Sequence, residues 1–83
     1  MIYWDYYPKL DVHGETRDTV NFVLKEFIND NIKLNQDIIV IIHGKGEGIL
    51  KKEVHYLLRQ NRNVLQFHLV LENPGMTIVK LKR

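Results

Sequence analysis

Ile38-Ile39-Val40-Ile41-Ile42 is an unbroken aliphatic run. A β-strand sends alternate side chains to opposite faces, so a run without a polar residue needs cover on both and belongs in the middle of a sheet. It ends in His43-Gly44 and leads into a helical segment. The same order occurs earlier, where Leu10-Asp11-Val12-His13-Gly14 precedes another helical segment. If the two strands lie parallel, joined by the intervening helix, both His-Gly pairs sit at the carboxyl ends of neighbouring strands. On open α/β sheets that edge is where ligands dock, beside helix N-termini whose free N–H groups favour anions.

The remaining elements follow in order. Pro8 marks the entry to a first strand at about Lys9 to Val12. Thr16 is a plausible N-cap for a helix from Arg17 to about Asn31. Val20, Val23, Leu24, Phe27 and Ile28 form its apolar stripe. A second helix is expected from about Gly48 to Gln60, with Leu50, Val54, Leu57 and Leu58 facing inward. Val64 to Leu71 reads as a half-buried strand with Leu65, Phe67, Leu69 and Leu71 inward and Gln66 and His68 outward. Asn73-Pro74-Gly75 fits a tight type II turn, after which Thr77 to Leu81 pairs back as the last strand. The expected architecture is βαβαββ, an α/β two-layer sandwich with a mixed four-stranded sheet and two helices on one face. Residues 1–8 form an aromatic amino-terminal arm and 9–83 the domain.

Eighty-three residues give one core, burying roughly 60% of the unfolded surface. Without cysteine there is neither a disulfide nor a thiolate zinc site. The aliphatic run is too short for a bilayer and Met1-Ile2-Tyr3-Trp4-Asp5 lacks the basic start of a secretion signal, so a cytoplasmic domain with no membrane partner is expected. The net charge of +2 is unevenly spread: residues 1–40 hold four basic and seven acidic side chains, residues 41–83 eight and three. The excess of positive charge begins at the second His-Gly junction, which would favour a polyanion; on charge alone, a solvated surface with both signs mixed is the more ordinary reading.

Several residues near these junctions are candidates for chemistry. Asp11 and His13 share a face of their strand, where a carboxylate can fix the tautomer of a general base; equally, the pair could be an Asp capping a turn and a His satisfied by backbone. His43 could be a second acid/base group facing His13, or a histidine that ends a strand on an internal hydrogen bond. Gly44, Gly46 and Gly48 let backbone N–H groups approach an anion, with Lys45 adding a point charge; alternatively the glycines merely permit a sharp turn. Lys51, Lys52, Arg59 and Arg62 could track a nucleic-acid backbone or form a solvated face. Tyr3, Trp4, Tyr6 and Tyr7 could stack on unpaired bases, but packing on the domain's own sheet or on a second copy is the ordinary use of such a cluster. His55 and His68 look incidental, one on a helix flank and the other on an exposed strand face. No dedicated metal site is expected, although a Mg²⁺ ion brought in by substrate phosphates is compatible with these residues.

Leu10-Asp11-Val12-His13-Gly14 resembles the LDxHG motif of the Smr (small MutS-related) domain family, and His43-Gly44-Lys45-Gly46-Glu47-Gly48 its HGKGxG motif. The likeness continues through Leu50, Leu57 and Leu58 and closes on Gly75-x-Thr77-x-Val79-x-Leu81, similar to the family's terminal strand. The resemblance implies a domain shaped like the C-terminal domain of bacterial translation initiation factor three. It implies binding to DNA or RNA, in some members at stalled ribosomes or in MutS-like proteins, and endonuclease activity in several. On that resemblance Asp11, His13 and His43 are the expected catalytic residues. Gly44, Lys45, Gly46, Gly48, Lys51 and Lys52 are the expected phosphate contacts. The chain departs from the family in having only Asn73-Pro74-Gly75-Met76 where a longer Gly-rich loop is usual. The alternative to an endonuclease is a binding module without cleavage, docking on nucleic acid, a ribosome or a repair protein.

Overall fold

The computed structural model describes residues 6–46 and 48–82. Tyr3 and Trp4 of the expected arm, and Glu47 of the glycine-rich loop, lie outside the described residues. The elements are β1 (Lys9–Asp11), α1 (Arg17–Lys33), β2 (Ile38–Ile42), α2 (Ile49–Gln60), β3 (Val64–Val70) and β4 (Asn73–Leu81). They form one four-stranded sheet in the order β1-β2-β4-β3. β1 runs parallel to β2, and β4 is antiparallel to both β2 and β3. The expected mixed sheet and two-layer α/β fold are therefore present.

β2 lies between β1 and β4, as its aliphatic run requires. Ile39 and Ile41 face the helices and join Val12, Val79 and Leu81 from the sheet with Val20, Leu24 and Ile28 of α1 and Val54 and Leu58 of α2 in one buried cluster. Val40 faces the other way and is also fully buried, packed with Val70, Met76 and Ile78 and flanked by Tyr7, Ile38 and Ile42. Tyr7 of the aromatic arm thus packs on the chain's own sheet.

Thr16 caps α1 as expected. Its Oγ1 accepts from the Thr19 N–H at 3.2 Å while the Thr19 hydroxyl accepts from the Thr16 N–H at 2.9 Å, a reciprocal cap. The helix runs two residues beyond Asn31, whose buried side chain donates to the Phe27 carbonyl one turn back at 2.9 Å and so is satisfied within the helix. It ends where Asn35 adopts a left-handed backbone with φ 61°.

Two expectations about the last hairpin are corrected. Val70 pairs with Asn73, so the turn consists of Leu71 and Glu72, and Asn73-Pro74-Gly75 lies inside β4. Leu71, expected inward, is 93% exposed on that turn. Across from β3 the register then jumps from Asn73 to Thr77, so Pro74, Gly75 and Met76 bulge away from their partner strand. A proline, with no N–H to donate, fits where pairing is interrupted. Leu65, also expected inward, is 54% exposed, because a second irregularity between Val64 and Gln66 leaves it without an opposite residue. Past that point Phe67 stands opposite Val79 and packs on the core.

These placements predict contrasting costs. Ile41→Ala, at a fully buried position, should lower unfolding free energy by about 2–5 kcal/mol in urea titration. Leu71→Lys should change it by less than about 0.5 kcal/mol, whereas an inward Leu71 would make that substitution severe.

Candidate functional site

The parallel pairing sets Asp11 opposite Ile42, and the Val12 N–H donates to the Ile42 carbonyl at 2.8 Å. His13 and His43 consequently leave the sheet at one edge. There an open depression of about 420 Å³ is lined by His13, His43, Gly44, Lys45, Gly46, Gly48 and the first turn of α2, Ile49 to Lys51.

On the β1 side, one carboxylate oxygen of Asp11 accepts both the His13 backbone N–H at 3.0 Å and the ring Nδ1–H at 2.5 Å. The imidazole bond is the main cause holding the Asp11 carboxyl below its usual range, with the backbone bond next. An ionised carboxylate on Nδ1–H leaves Nε2 as the basic nitrogen of His13. The His13 side chain is 69% exposed, within reach of solvent and of anything seated in the depression.

On the β2 side, the His43 and Gly44 N–H groups both donate to the Gly75 carbonyl, at 2.9 and 3.0 Å. That carbonyl stands in the β4 bulge. A Cβ on Gly75 would lie 3.1 Å from Lys45 Cγ and 3.2 Å from the Gly44 carbonyl carbon, so a glycine is what lets the bulge press against the loop. Gly44 and Gly48 each have φ +85°, a left-handed backbone that ordinary side chains disfavour. Gly48 is the N-cap of α2 and supplies no side-chain acceptor to the first-turn N–H groups. Among the described residues that turn also holds no acidic side chain, so its positive end is offset neither by a cap nor by a carboxylate. Lys45 is exposed beside it and Lys51 half-buried. Lys52, grouped with them on sequence, is exposed but stands outside the lining of the depression.

His43 differs from His13. It is only 5% exposed; its Nε2 lies 2.8 Å from Thr77 Oγ1 and its Nδ1 3.2 Å from the Gly44 carbonyl. His55 of α2 brings its own Nε2 to within 2.7 Å of the same hydroxyl, and its ring stacks edge-on against His43 and Phe67. Burial pushes the His43 pKa down. Burial also pushes His55 down to about 4, with His43, Lys51 and Arg59 adding repulsion. Among the described residues no group of three His, Asp, Glu or Cys side chains could hold a metal ion. No helix among them is long and apolar enough to cross a membrane.

The family model for the Smr domain matches residues 10–82. The chain belongs to the Smr domain family. Among curated relatives it is 38% identical over 77 residues to endonuclease MutS2 of Geobacillus sp. (strain WCH70), covering 89% of this chain but 10% of that protein. It is 35% identical over 78 residues to endonuclease MutS2 of Halothermothrix orenii, again covering 10% of that protein. The chain thus spans about a tenth of the curated relatives it matches. Its fold is that of the Smr domain of Thermus thermophilus MutS2, with a TM-score of 0.88 at 23% identity over 92% of this chain and 99% of the other. YdaL, a stand-alone small MutS-related protein from Escherichia coli, superposes with a TM-score of 0.86 at 21% identity, covering 93% of this chain and 68% of its own.

Within this Smr domain, sequence reasoning missed Thr77 and His55 as parts of the site. In the sequence Thr77 stands only as a residue of the terminal-strand motif Gly75-x-Thr77-x-Val79-x-Leu81, with nothing to mark it as fully buried beside His43. His55, expected to be incidental, sits between Lys51 and Leu58 at the border of the inner stripe of α2, and that placement was the available signal.

The two buried histidines make stability depend on pH. In the unfolded chain they titrate near 6.5; in the fold both values are lowered, His55 to about 4. Between about pH 4 and 6.5 the unfolded state therefore binds more protons, and stability rises with pH through that window. Asp11, lowered from 3.8, loses its contribution only below it. Urea unfolding should show stability falling as pH drops from 6.5 to 4, and His55→Phe should flatten the fall. A slope unchanged by His55→Phe would mean that His55 is not the buried neutral group.

Proposed function

We propose that this Smr domain binds the phosphodiester backbone of DNA or RNA in the depression at the start of α2 and cleaves it. One observation supports this above the others: an exposed histidine oriented by a carboxylate shares an open depression with a helix N-terminus that has no side-chain cap and with Lys45 and Lys51. The first-turn amides and Lys45 take the phosphate oxygens, where backbone N–H groups and a point charge favour an anion. His13 Nε2 accepts the proton of the attacking oxygen as it bonds to phosphorus, and Asp11 steadies the resulting imidazolium. The leaving oxygen takes its proton from water on the open side. His43, with both ring nitrogens engaged inside the protein, acts through the loop it anchors and not as a second proton carrier. A Mg²⁺ ion, where one takes part, arrives with the substrate's phosphates.

Binding without cleavage is the second reading, and the short hairpin favours it. A turn of only Leu71 and Glu72 puts no long loop over the depression, which stays wet, and electrostatic stabilisation is weaker where water is not excluded. Labelled DNA and RNA panels incubated with and without Mg²⁺ separate the two, products supporting the first reading and retention without products the second.

His13→Ala should abolish cleavage while leaving the melting temperature within about 2 °C, because an exposed side chain contributes little to the core. Activity that survives the substitution would remove His13 from the chemistry. Lys45→Ala should weaken binding to all sequences alike and reduce the slope of log K against log salt by about 1, since a phosphate contact positions a nucleic acid without reading it. An unchanged salt slope would take the loop out of the binding surface.

A further inference from the structure

Two histidines from different elements converge on one hydroxyl, and the hydrogens can be assigned. The Gly44 carbonyl can only accept, so His43 Nδ1, 3.2 Å away, holds a proton. A neutral imidazole has one such proton, which makes His43 Nε2 a lone-pair acceptor toward Thr77 Oγ1 at 2.8 Å. Thr77 therefore donates its single hydrogen to His43. It then has only lone pairs to offer His55, so His55 Nε2, at 2.7 Å, must be the donor.

We propose that Thr77 and His55 are positioning residues for the anion-binding loop: a directed chain of hydrogen bonds, from His55 through Thr77 and His43 to the Gly44 carbonyl, holds the Gly44–Lys45 peptide with its N–H toward the depression. In a planar trans peptide the C=O and the following N–H point in opposite directions. The Gly44 carbonyl is drawn inward to a ring that is 5% exposed, which turns the Lys45 N–H outward, where Gly44 and Lys45 line the depression. The left-handed backbone of Gly44 and the Gly75 carbonyl on its own N–H hold the other side of the same residue. The relay thus fixes one backbone donor beside the α2 N-terminus before any ligand arrives, avoiding the cost of ordering it on binding. This inference rests on the phosphate reading of the depression.

The test uses the ¹⁵N-labelled chain. Long-range ¹H–¹⁵N spectra should show His43 protonated at Nδ1 and His55 at Nε2. Inorganic phosphate, titrated in, should move the Lys45 amide resonance. Thr77→Val should reduce the phosphate affinity read at that amide about tenfold, the worth of one misaligned hydrogen bond, and Thr77→Ser should restore it. His55→Phe should weaken it likewise, while His55→Gln, which keeps a donor at the same reach, should recover most of it. Should Thr77→Val fail to fold, the His55→Phe and His55→Gln pair decides. His43 protonated at Nε2 in the unsubstituted protein, or a folded Thr77→Val that responds to phosphate as the unsubstituted protein does, overturns the relay. Failure of the phosphate reading looks different: the unsubstituted protein then shows the assigned tautomers, but phosphate leaves the Lys45 amide unmoved, and the positioning role falls with that reading.

Discussion

The pairing of β1 with β2 in parallel register is what brings the site's two halves together, and the core enforces it. Val12 is fully buried, in the core cluster to which both helices contribute. Because side chains alternate along a strand, burying Val12 turns Asp11 and His13 outward together; a slip of one residue would exchange them with Leu10 and Val12 and place a carboxylate in the core. The short strand β1 is therefore held in register by the same burial that stabilises the domain. Parallel neighbours also require a crossover, and α1 supplies it with a stripe, Val20, Leu24 and Ile28, that covers Ile39 and Ile41 from above.

The second half of the site depends on the irregularity in β4. Pro74 interrupts pairing with β3, and the resulting bulge presents the Gly75 carbonyl to two successive N–H groups at the end of β2. The loop from Gly44 onward thereby becomes an extension of the hairpin, with Gly75 pressed so close against Gly44 and Lys45 that a Cβ there would force its neighbours to shift by a few tenths of an ångström. The same short hairpin leaves the depression uncovered. Its charges work in water, where attraction is screened over roughly 10 Å, so the fixed direction of each donor matters more than enclosure.

Most of the architecture could be read from residue patterns. The aliphatic run located the central strand, the apolar stripes located both helices, and the repeated His-Gly junction located the edge where they meet. The failures fall where a local pattern lost to pairing. Asn73-Pro74-Gly75 has the composition of a turn, and Asn73 does accept the Gly75 N–H at 3.1 Å as a turn residue would, but this local bend is spent on a bulge within the strand. Leu65 and Leu71 follow the alternation of β3 in sequence; the irregular register and the turn, neither visible as a period, expose them. Thr77 and His55 were missed because they are 22 residues apart in sequence and meet only after α2 has packed on the sheet.

The paired junction in sequence also conceals a division of labour that topology decides. His13 follows β1, an edge strand of the sheet among the described residues, so its ring is largely exposed to solvent and bonded to Asp11. His43 follows β2, flanked by β1 and β4, so its ring is enclosed and meets Thr77 from the neighbouring strand. An imidazole at the edge can exchange protons with what it binds and is worth little to the fold. One in the middle is held neutral by burial, and its two nitrogens, one donor and one acceptor, make it suited to transmitting direction from one hydrogen bond to the next. Exchanging those environments would disable both, because a buried Asp–His pair would be costly to ionise and an exposed His43 would have no fixed tautomer with which to orient the loop.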